Sequence, residues 1–366
     1  MSGPRSFSDL PREILGYIFT YLTDSDVAQM CRLSKSVKIE AERILYRYVA
    51  FPTDADAEMS LLKTLARAPR LAERTFSNIN RLTDLMLIEF WNEEDPLPSF
   101  QNFVDLLVNC SFQLRTLECS HIDFEDLKPF LARQPEITEL ILQHWEPPAY
   151  IAPLPNDFLA NLEVARMDPR IVAALSSSPP LEHLQISFQH PTEDHELPYI
   201  DSLARFRSTL QGLGLERHGA FGGHPPTRDI LIHLAAALPS LSTLSLCDQR
   251  TMYFYEKDAG ITPPEIDTVT DLVTALSKFP CLEVFVLVAV GYADPHSLWW
   301  NLWDNRSSFG LVQLFMSACP SLRYMALPKS RSSPEYLGFS RAENGDVDAV
   351  AEELQPRDID WAWRDF

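Results

Sequence analysis

The sequence predicts an α/β chain in two parts: a three-helix bundle at the N-terminus, then an irregular solenoid of strand–helix units. Three observations predict it. Apolar residues run at helical spacing through the first fifty positions. An L-x-x-L-x-L template, with apolar substitutions, recurs nine times between 82 and 327. A proline stands two residues before the template at five of those places. With 366 residues, 46% of them hydrophobic, the chain can bury a large core. Its 28 prolines outnumber its 12 glycines, which suits many element boundaries and few flexible linkers.

The first helix is read from "LPREILGYIFTYL", residues 10–22. Ile14, Leu15, Ile18, Phe19 and Leu22 are spaced 1, 3, 1 and 3, which makes one helical stripe. Pro11 falls in the first turn, where a missing N–H costs nothing. "TDSD" at 23–26 breaks the pattern and supplies capping side chains. A second helix follows, with Val27, Met30, Cys31 and Leu33 on its face. After "SKS" a third helix is expected from about Val37 to Val49, its apolar side formed by Val37, Ala41, Ile44, Leu45 and Tyr48. The stripe on the first helix is wider than one intramolecular neighbour needs, so part of it is read as an offered surface.

These residues resemble an F-box. Leu10 and Pro11 open the motif, and Glu13, Ile14 and Leu15 follow as the acidic and paired apolar positions. Ile18, Phe19, Leu22, Asp26 and the "LSK" of Leu33, Ser34 and Lys35 continue it in order. The ending "AERILYRYV" is similar to the close common in fungal members. Val37 stands near where the family usually has Trp. The resemblance implies a domain at 1–50 that docks on a Skp-type adaptor, and through it on a cullin-RING ubiquitin ligase. Leu10, Pro11, Ile14, Leu15, Ile18, Phe19, Leu22, Val27, Cys31 and Leu33 are the implied adaptor-binding residues.

Residues 51–330 carry the repeats. Template anchors begin at 82, 114, 137, 159, 181, 210, 241, 282 and 322. Pro135, Pro179, Pro239, Pro280 and Pro320 precede five of them, and a helical stretch precedes each of these prolines. Proline ends a helix and biases the residue before it to extended geometry, so the unit reads helix, proline, strand, turn. Such units stack into a solenoid, which resembles the leucine-rich repeats that often follow F-boxes. The Asn or Cys ladder of that family is absent: Phe90, Ile122, Trp145, Met167, Gln189, His218, Gln249, Val290 and Ser330 stand there. The repeats are degenerate.

Side chains alternate along a strand, so the residue between the last two template leucines points to the concave face. That row is Met86, Glu118, Ile141, Glu163, Gln185, Gly214, Ser245, Val286 and Ala326. Glu118, Ile141, Glu163 and Gln185 are its candidate substrate contacts. Trp299 and Trp300, in "HSLWWNLWDN", are further candidates, because aromatics concentrate binding energy. Helical spacing of Leu298, Leu302, Trp299 and Trp303 in that segment favours packing over binding. Residues 331–366 hold four Lys/Arg against nine Asp/Glu and end "DIDWAWRDF". They read as an acidic tail whose Trp361, Trp363 and Phe366 dock back as a cap.

The formal charge is −20. Residues 1–50 hold seven Lys/Arg against six Asp/Glu, and the remainder holds 24 against 45. Such a body repels a phosphate backbone, so neither nucleic acid nor an anionic membrane is an expected partner. Six cysteines fall singly in apolar runs, as buried thiols do, and no apolar run reaches membrane-spanning length. A cytoplasmic or nuclear protein is expected. No catalytic motif is present, and no metal or cofactor is expected; His183, His190 and His195 are too loosely placed to name a metal site. The expected function is a non-enzymatic, substrate-recruiting subunit with an unknown protein substrate. The alternative is a repeat scaffold that binds partners without a ligase.

Overall fold

The computed structural model describes residues 10–19, 21–35, 37–38, 40–41, 48–50, 83–87, 107–108, 112–120, 123–143, 151–176, 178–188, 196–218, 225–249, 268–288, 302, 308–329, 335–342, 347–354, 359 and 362–365. The chain is mixed α/β and forms two compact units. One is Met1–His144 with Asp157–Asn161, the other Trp145–Asn156 with Leu162–Phe366.

In the first unit, helix α1 spans Arg12–Phe19 and α2 spans Asp24–Met30. The Pro11 carbonyl accepts the N–H groups of Ile14 and Leu15 at 3.1 Å, which starts α1 on a residue that has no N–H to lose. Thr23 caps α2, its hydroxyl accepting the Asp26 N–H at 3.3 Å. Lys35, Val37, Lys38, Glu40 and Ala41 are helical. The third helix does not reach Val49 as expected, because Tyr48–Ala50 is strand β1. An aromatic followed by a β-branched residue favours extended geometry, and a neighbouring strand supplies the hydrogen bonds.

Strand β1 pairs in parallel with β2 (Asp84–Leu87), β2 with β3 (Thr116–Ser120), and β3 with β4 (Glu139–Gln143). Helix α3, Phe124–Leu131, follows β3 and buries Phe124, Leu127, Phe130 and Leu131. Phe130 meets Phe112 edge-on at 6.3 Å. The buried Gln134 amide accepts the Leu114 N–H at 2.8 Å and donates to the Phe112 carbonyl at 3.2 Å. It thereby closes the chain leading into β3, where main-chain groups have no ladder partner.

The second unit repeats the pattern. Strands β5 (Val164–Met167), β6 (His183–Phe188), β7 (Gly212–His218), β8 (Thr243–Gln249), β9 (Val284–Val288) and β10 (Tyr324–Pro328) pair in parallel in chain order. Between them run α4 (Pro169–Ala174), α5 (Glu196–Ser202), α6 (Thr227–Ala237), α7 (Val269–Leu276) and α8 (Ser308–Ala318). The strands β4, β6, β8, β9 and β10 each start four residues after the proline that precedes them. The helical stretch before each proline lies in α3, α4, α6, α7 and α8 respectively.

One template anchor is displaced. Leu159 lies in a turn at φ 53°, not at the head of a strand. The segment that enters β5 is "LEVARM", which starts at Leu162 and places Ala165 and Met167 on the buried side. Two overlapping leucine triplets occur in "LANLEVARM", and main-chain geometry selects the second: a buried leucine in the left-handed region cannot continue a strand.

The sheet of the second unit has both faces covered over its C-terminal half. On one face Leu213, Leu215, Leu244, Leu246, Phe285 and Leu287 pack under the helices, with Phe285 and Phe315 of α8 at 6.3 Å. The tail first extends the sheet and then covers its other face. Strand β11 (Tyr336–Arg341) runs antiparallel to β10, and β12 (Val347–Leu354) runs antiparallel to β11. Tyr336, Leu354, Ile359 and Ala362 then bury against Val286 and Ala326 as a second apolar cluster. A helical turn α9, Ala362–Asp365, lies against β6, β7 and β8.

Candidate functional site

The stripe on α1 divides by burial. Leu15 and Phe19 join Val27, Val37 and Ala41 in a closed core, with Leu10, Ile18, Leu22, Met30 and Cys31 half-buried against it. Val37 therefore takes part in the packing. Leu15, Phe19 and Val27, expected in the adaptor-binding face, are interior residues: their burial holds α1 to α2 and leaves nothing for a partner to touch.

What faces outward is a different set. Ile14 is 47% exposed, Tyr17 65%, Tyr21 72% and Leu33 61%, with Pro11 also exposed. Tyr17 and Tyr21 lie one turn apart, their rings 5.1 Å apart and edge-on. The Tyr21 hydroxyl donates to Tyr17 at 2.8 Å, which raises its pKa above the ordinary tyrosine value. Large apolar side chains held rigid on a surface are costly in water, and aromatics ordered in advance lose little entropy on binding. The two tyrosines were missed because "GYIFTYL" reads as a single apolar run; only the packing of Leu15 and Phe19 turns Tyr17 outward.

The expected strand row forms, with one substitution. Register aligns Met86 with Glu118 and Glu118 with Ile141 in the first unit. In the second it aligns Arg166, Gln185, Gly214, Ser245, Val286 and Ala326. Glu163 lies one residue before β5, and Arg166 holds its expected place. This correction follows from the displaced anchor, since a shift of three residues also exchanges the faces of a strand. Glu118 is half-buried, whereas Ile141 and Gln185 are buried. Trp299 and Trp300 lie outside the described residues, as do Trp361, Phe366, His190 and His195.

In the second unit the row is the floor under the tail. Trp363 is 1% exposed and lies over Gly212 and Gly214. Its carbonyl is 3.1 Å from His183 Nδ1. A Cβ at Gly212 would collide with that carbonyl oxygen, and one at Gly214 would lie 3.0 Å from Trp363 Cγ and 2.9 Å from Gln185 Cγ. The two glycines of "QGLGL" are therefore the space that the tryptophan fills. Beside it the Gln185 amide donates to Glu216, which also pairs with Arg166 at 3.3 Å.

A second polar group sits in the helix-covered face, where the strand pattern calls for leucine. Arg217 is buried and donates through Nε to Glu196 at 2.9 Å. Through Nη1 it donates to Asp248 at 2.8 Å and to Thr227 at 3.0 Å, and through Nη2 to the Pro225 carbonyl at 2.7 Å. The Thr227 hydroxyl also donates to Asp248. The group ties the ends of β7 and β8 to α5 and the start of α6, at the place where a side-chain ladder along the turns is missing. No local pattern could have found it, because the partners of Arg217 lie 8 to 31 residues from it in both directions along the chain. Among the described residues there is no cluster of His, Cys, Asp and Glu that could hold a metal, and no helix long and apolar enough to cross a membrane.

Comparison with protein-family models finds the F-box domain at residues 7–39, over both N-terminal helices and the Ser34–Lys35 break. F-box domains bind Skp-type adaptors, and proteins that carry them are typically non-enzymatic adaptors of cullin complexes. No curated protein matches the chain.

Proposed function

We propose that this chain is a substrate-recognition subunit of an SCF-type cullin-RING ubiquitin ligase. The F-box at its N-terminus, within residues 1–50, docks on a Skp-type adaptor. Residues 51–330, as a degenerate leucine-rich-repeat-like solenoid of strand–helix units, hold a protein substrate, and the acidic segment 331–366 completes that body. The observation that carries the reading is the coincidence of the F-box match with an exposed apolar face. Ile14 and Tyr17 stand outward on α1, whose Leu15 and Phe19 are buried, and Tyr21 and Leu33 stand outward in the turns that follow α1 and α2. Pro11 adds to this face, and the half-buried Leu10, Ile18, Leu22 and Cys31 support it from behind.

The chain supplies no chemistry of its own in this reading. Tethering a substrate beside an activated ubiquitin replaces a bimolecular encounter by one at high effective concentration. On the substrate side Glu118 remains a candidate contact, and Arg166 replaces Glu163. Ile141 and Gln185 are too buried to be first contacts.

The test is co-purification with a Skp-type adaptor. The wild type should form a stable pair, and Ile14→Asp with Tyr17→Ala should abolish it while circular dichroism stays unchanged. A folded wild type that does not pair refutes the receptor reading and favours a repeat scaffold without a ligase.

A further inference from the structure

Charge is divided unevenly along this chain. Residues 1–50 hold seven Lys/Arg against six Asp/Glu, whereas residues 51–366 hold 24 against 45. Around α2 the exposed cations gather at one end. Arg32 lies in the turn that follows α2, beside the exposed Leu33, and Lys35 and Lys38 are exposed on the helical residues after it. An exposed acid, Asp26, stands near the other end of α2. Met30, Cys31 and Val37, which bracket the first cations, pack in the same small core as Leu10 and Ile18. The cations therefore share one small body with the outward Ile14, Tyr17 and Tyr21, and Arg32 and Lys35 flank Leu33 directly.

From this distribution we infer that the F-box is steered onto an acidic partner surface. The adaptor carries carboxylates around the apolar patch that receives Leu33, and Arg32 and Lys35 guide it there. The inference rests on the reading that the F-box docks on a Skp-type adaptor, and it names the chemistry of that adaptor's docking surface. The sign follows from the rest of the chain. A basic partner would be drawn to the acidic body rather than to the F-box. An acidic partner is repelled by that body and attracted where Arg32, Lys35 and Lys38 stand, so the encounter is oriented before contact. At physiological salt such fields fade over about 8 Å, so cations beside Leu33 act on a partner that is already near the face. Charges on the rim of an interface govern how fast it forms and how salt affects it. Arg32 also follows the C-terminal end of α2, where a cation complements the helix dipole. The two roles differ in what they change: the dipole contact acts on stability, the steering on association.

Stopped-flow association of the full chain with a fluorescently labelled Skp-type adaptor tests the inference. Arg32→Glu/Lys35→Glu should slow association at least about tenfold at about 50 mM salt, and the difference should shrink below about threefold at about 0.5 M. Dissociation should change less than about threefold. Arg207→Glu/Lys278→Glu makes the same change in net charge at exposed positions of the second unit, and should leave the association rate within about twofold of wild type. An unchanged rate in the first variant, or an equal slowing by the second, overturns the inference. So does a lowered urea midpoint in the first variant, which would place the role of the cations within α2. A wild type that does not bind the adaptor at all refutes the receptor reading, and this inference with it. Binding at a rate indifferent to Arg32 and Lys35 refutes the steering alone.

Discussion

Replacing Arg217 by methionine isolates what the buried polar group does. The guanidinium is the cation between Glu196 and Asp248, and all three side chains are buried. Methionine keeps much of the stem's volume but removes four donated hydrogen bonds, to Glu196, Asp248, Thr227 and Pro225. Each charge-assisted bond is worth about 1.5–3 kcal/mol net, but the desolvation of three charges offsets most of that gain. Breaking a buried ion pair on one side costs about 3–5 kcal/mol, and here two carboxylates are left, so the upper end is expected. Against a total stability of about 5–15 kcal/mol this is a large fraction.

Urea unfolding followed by circular dichroism reads the loss, with the slope checked for constancy. The pH dependence separates the cause from a packing defect. A carboxylate buried without a cation takes up a proton rather than stay charged. The native variant then binds more protons than its unfolded chain, and its stability rises as pH falls from 8 to 5. The triple variant Arg217→Met, Glu196→Gln, Asp248→Asn should recover most of the loss, because coupled groups do not add. A loss below about 1 kcal/mol, or a loss that does not vary with pH, would refute the reasoning.

Phe19→Ala should cost about 3–5 kcal/mol in the F-box, since Phe19 is interior; Tyr17→Ala should leave the urea midpoint nearly unchanged and weaken adaptor capture instead. Equal stability losses for the two would mean that α1 does not divide into an inner and an outer face. Thr268→Ala removes the capping box of α7, in which Thr268 and Asp271 exchange side-chain-to-backbone bonds. It should cost about 1 kcal/mol by urea unfolding. The bonds from Thr268 hold the Asp271 pKa below its ordinary value. Their contribution is therefore present above the unfolded pKa of an aspartate and fades as pH falls through the lower folded one, and the difference between wild type and Thr268→Ala should shrink in acid. A difference that stays constant down to about pH 2 would assign the loss to propensity alone. Gly212→Ala should loosen Trp363, whose carbonyl occupies the space of the new methyl group; unchanged protection of amides 362–365 in hydrogen exchange would contradict that contact.

Much of the mixed α/β pattern was legible because its determinants are local. A proline bars a helix and favours extended backbone before it, so Pro135, Pro179, Pro239, Pro280 and Pro320 mark strand starts without reference to the rest of the chain. Leu10 to Leu22 announced a helix by spacing, and the capping residue Thr23 marked where the next begins. Errors arose where two local readings were equally good. "LANLEVARM" fits the template twice, and Tyr48–Ala50 fits the end of a helix as well as a strand. In both cases the longer-range structure decided: Tyr48–Ala50 pairs with β2, and Leu159 takes left-handed backbone while Val164–Met167 pairs with β6.

By itself the sequence determined the F-box, the order of helix, proline and strand around Pro135, Pro179, Pro239, Pro280 and Pro320, and the alternating faces of the strands that follow those prolines, because these follow from backbone preference and apolar period. Tertiary structure alone decided which side of α1 meets water, turning Tyr17 and Tyr21 outward by packing Leu15 and Phe19 inward. It likewise decided that Trp363 lies over Gly212 and Gly214, and that Arg217 finds Glu196 and Asp248. Those contacts join residues tens to more than a hundred positions apart. A distant partner leaves no mark on local spacing, so a glycine made necessary by a remote tryptophan reads, in the chain, only as a glycine.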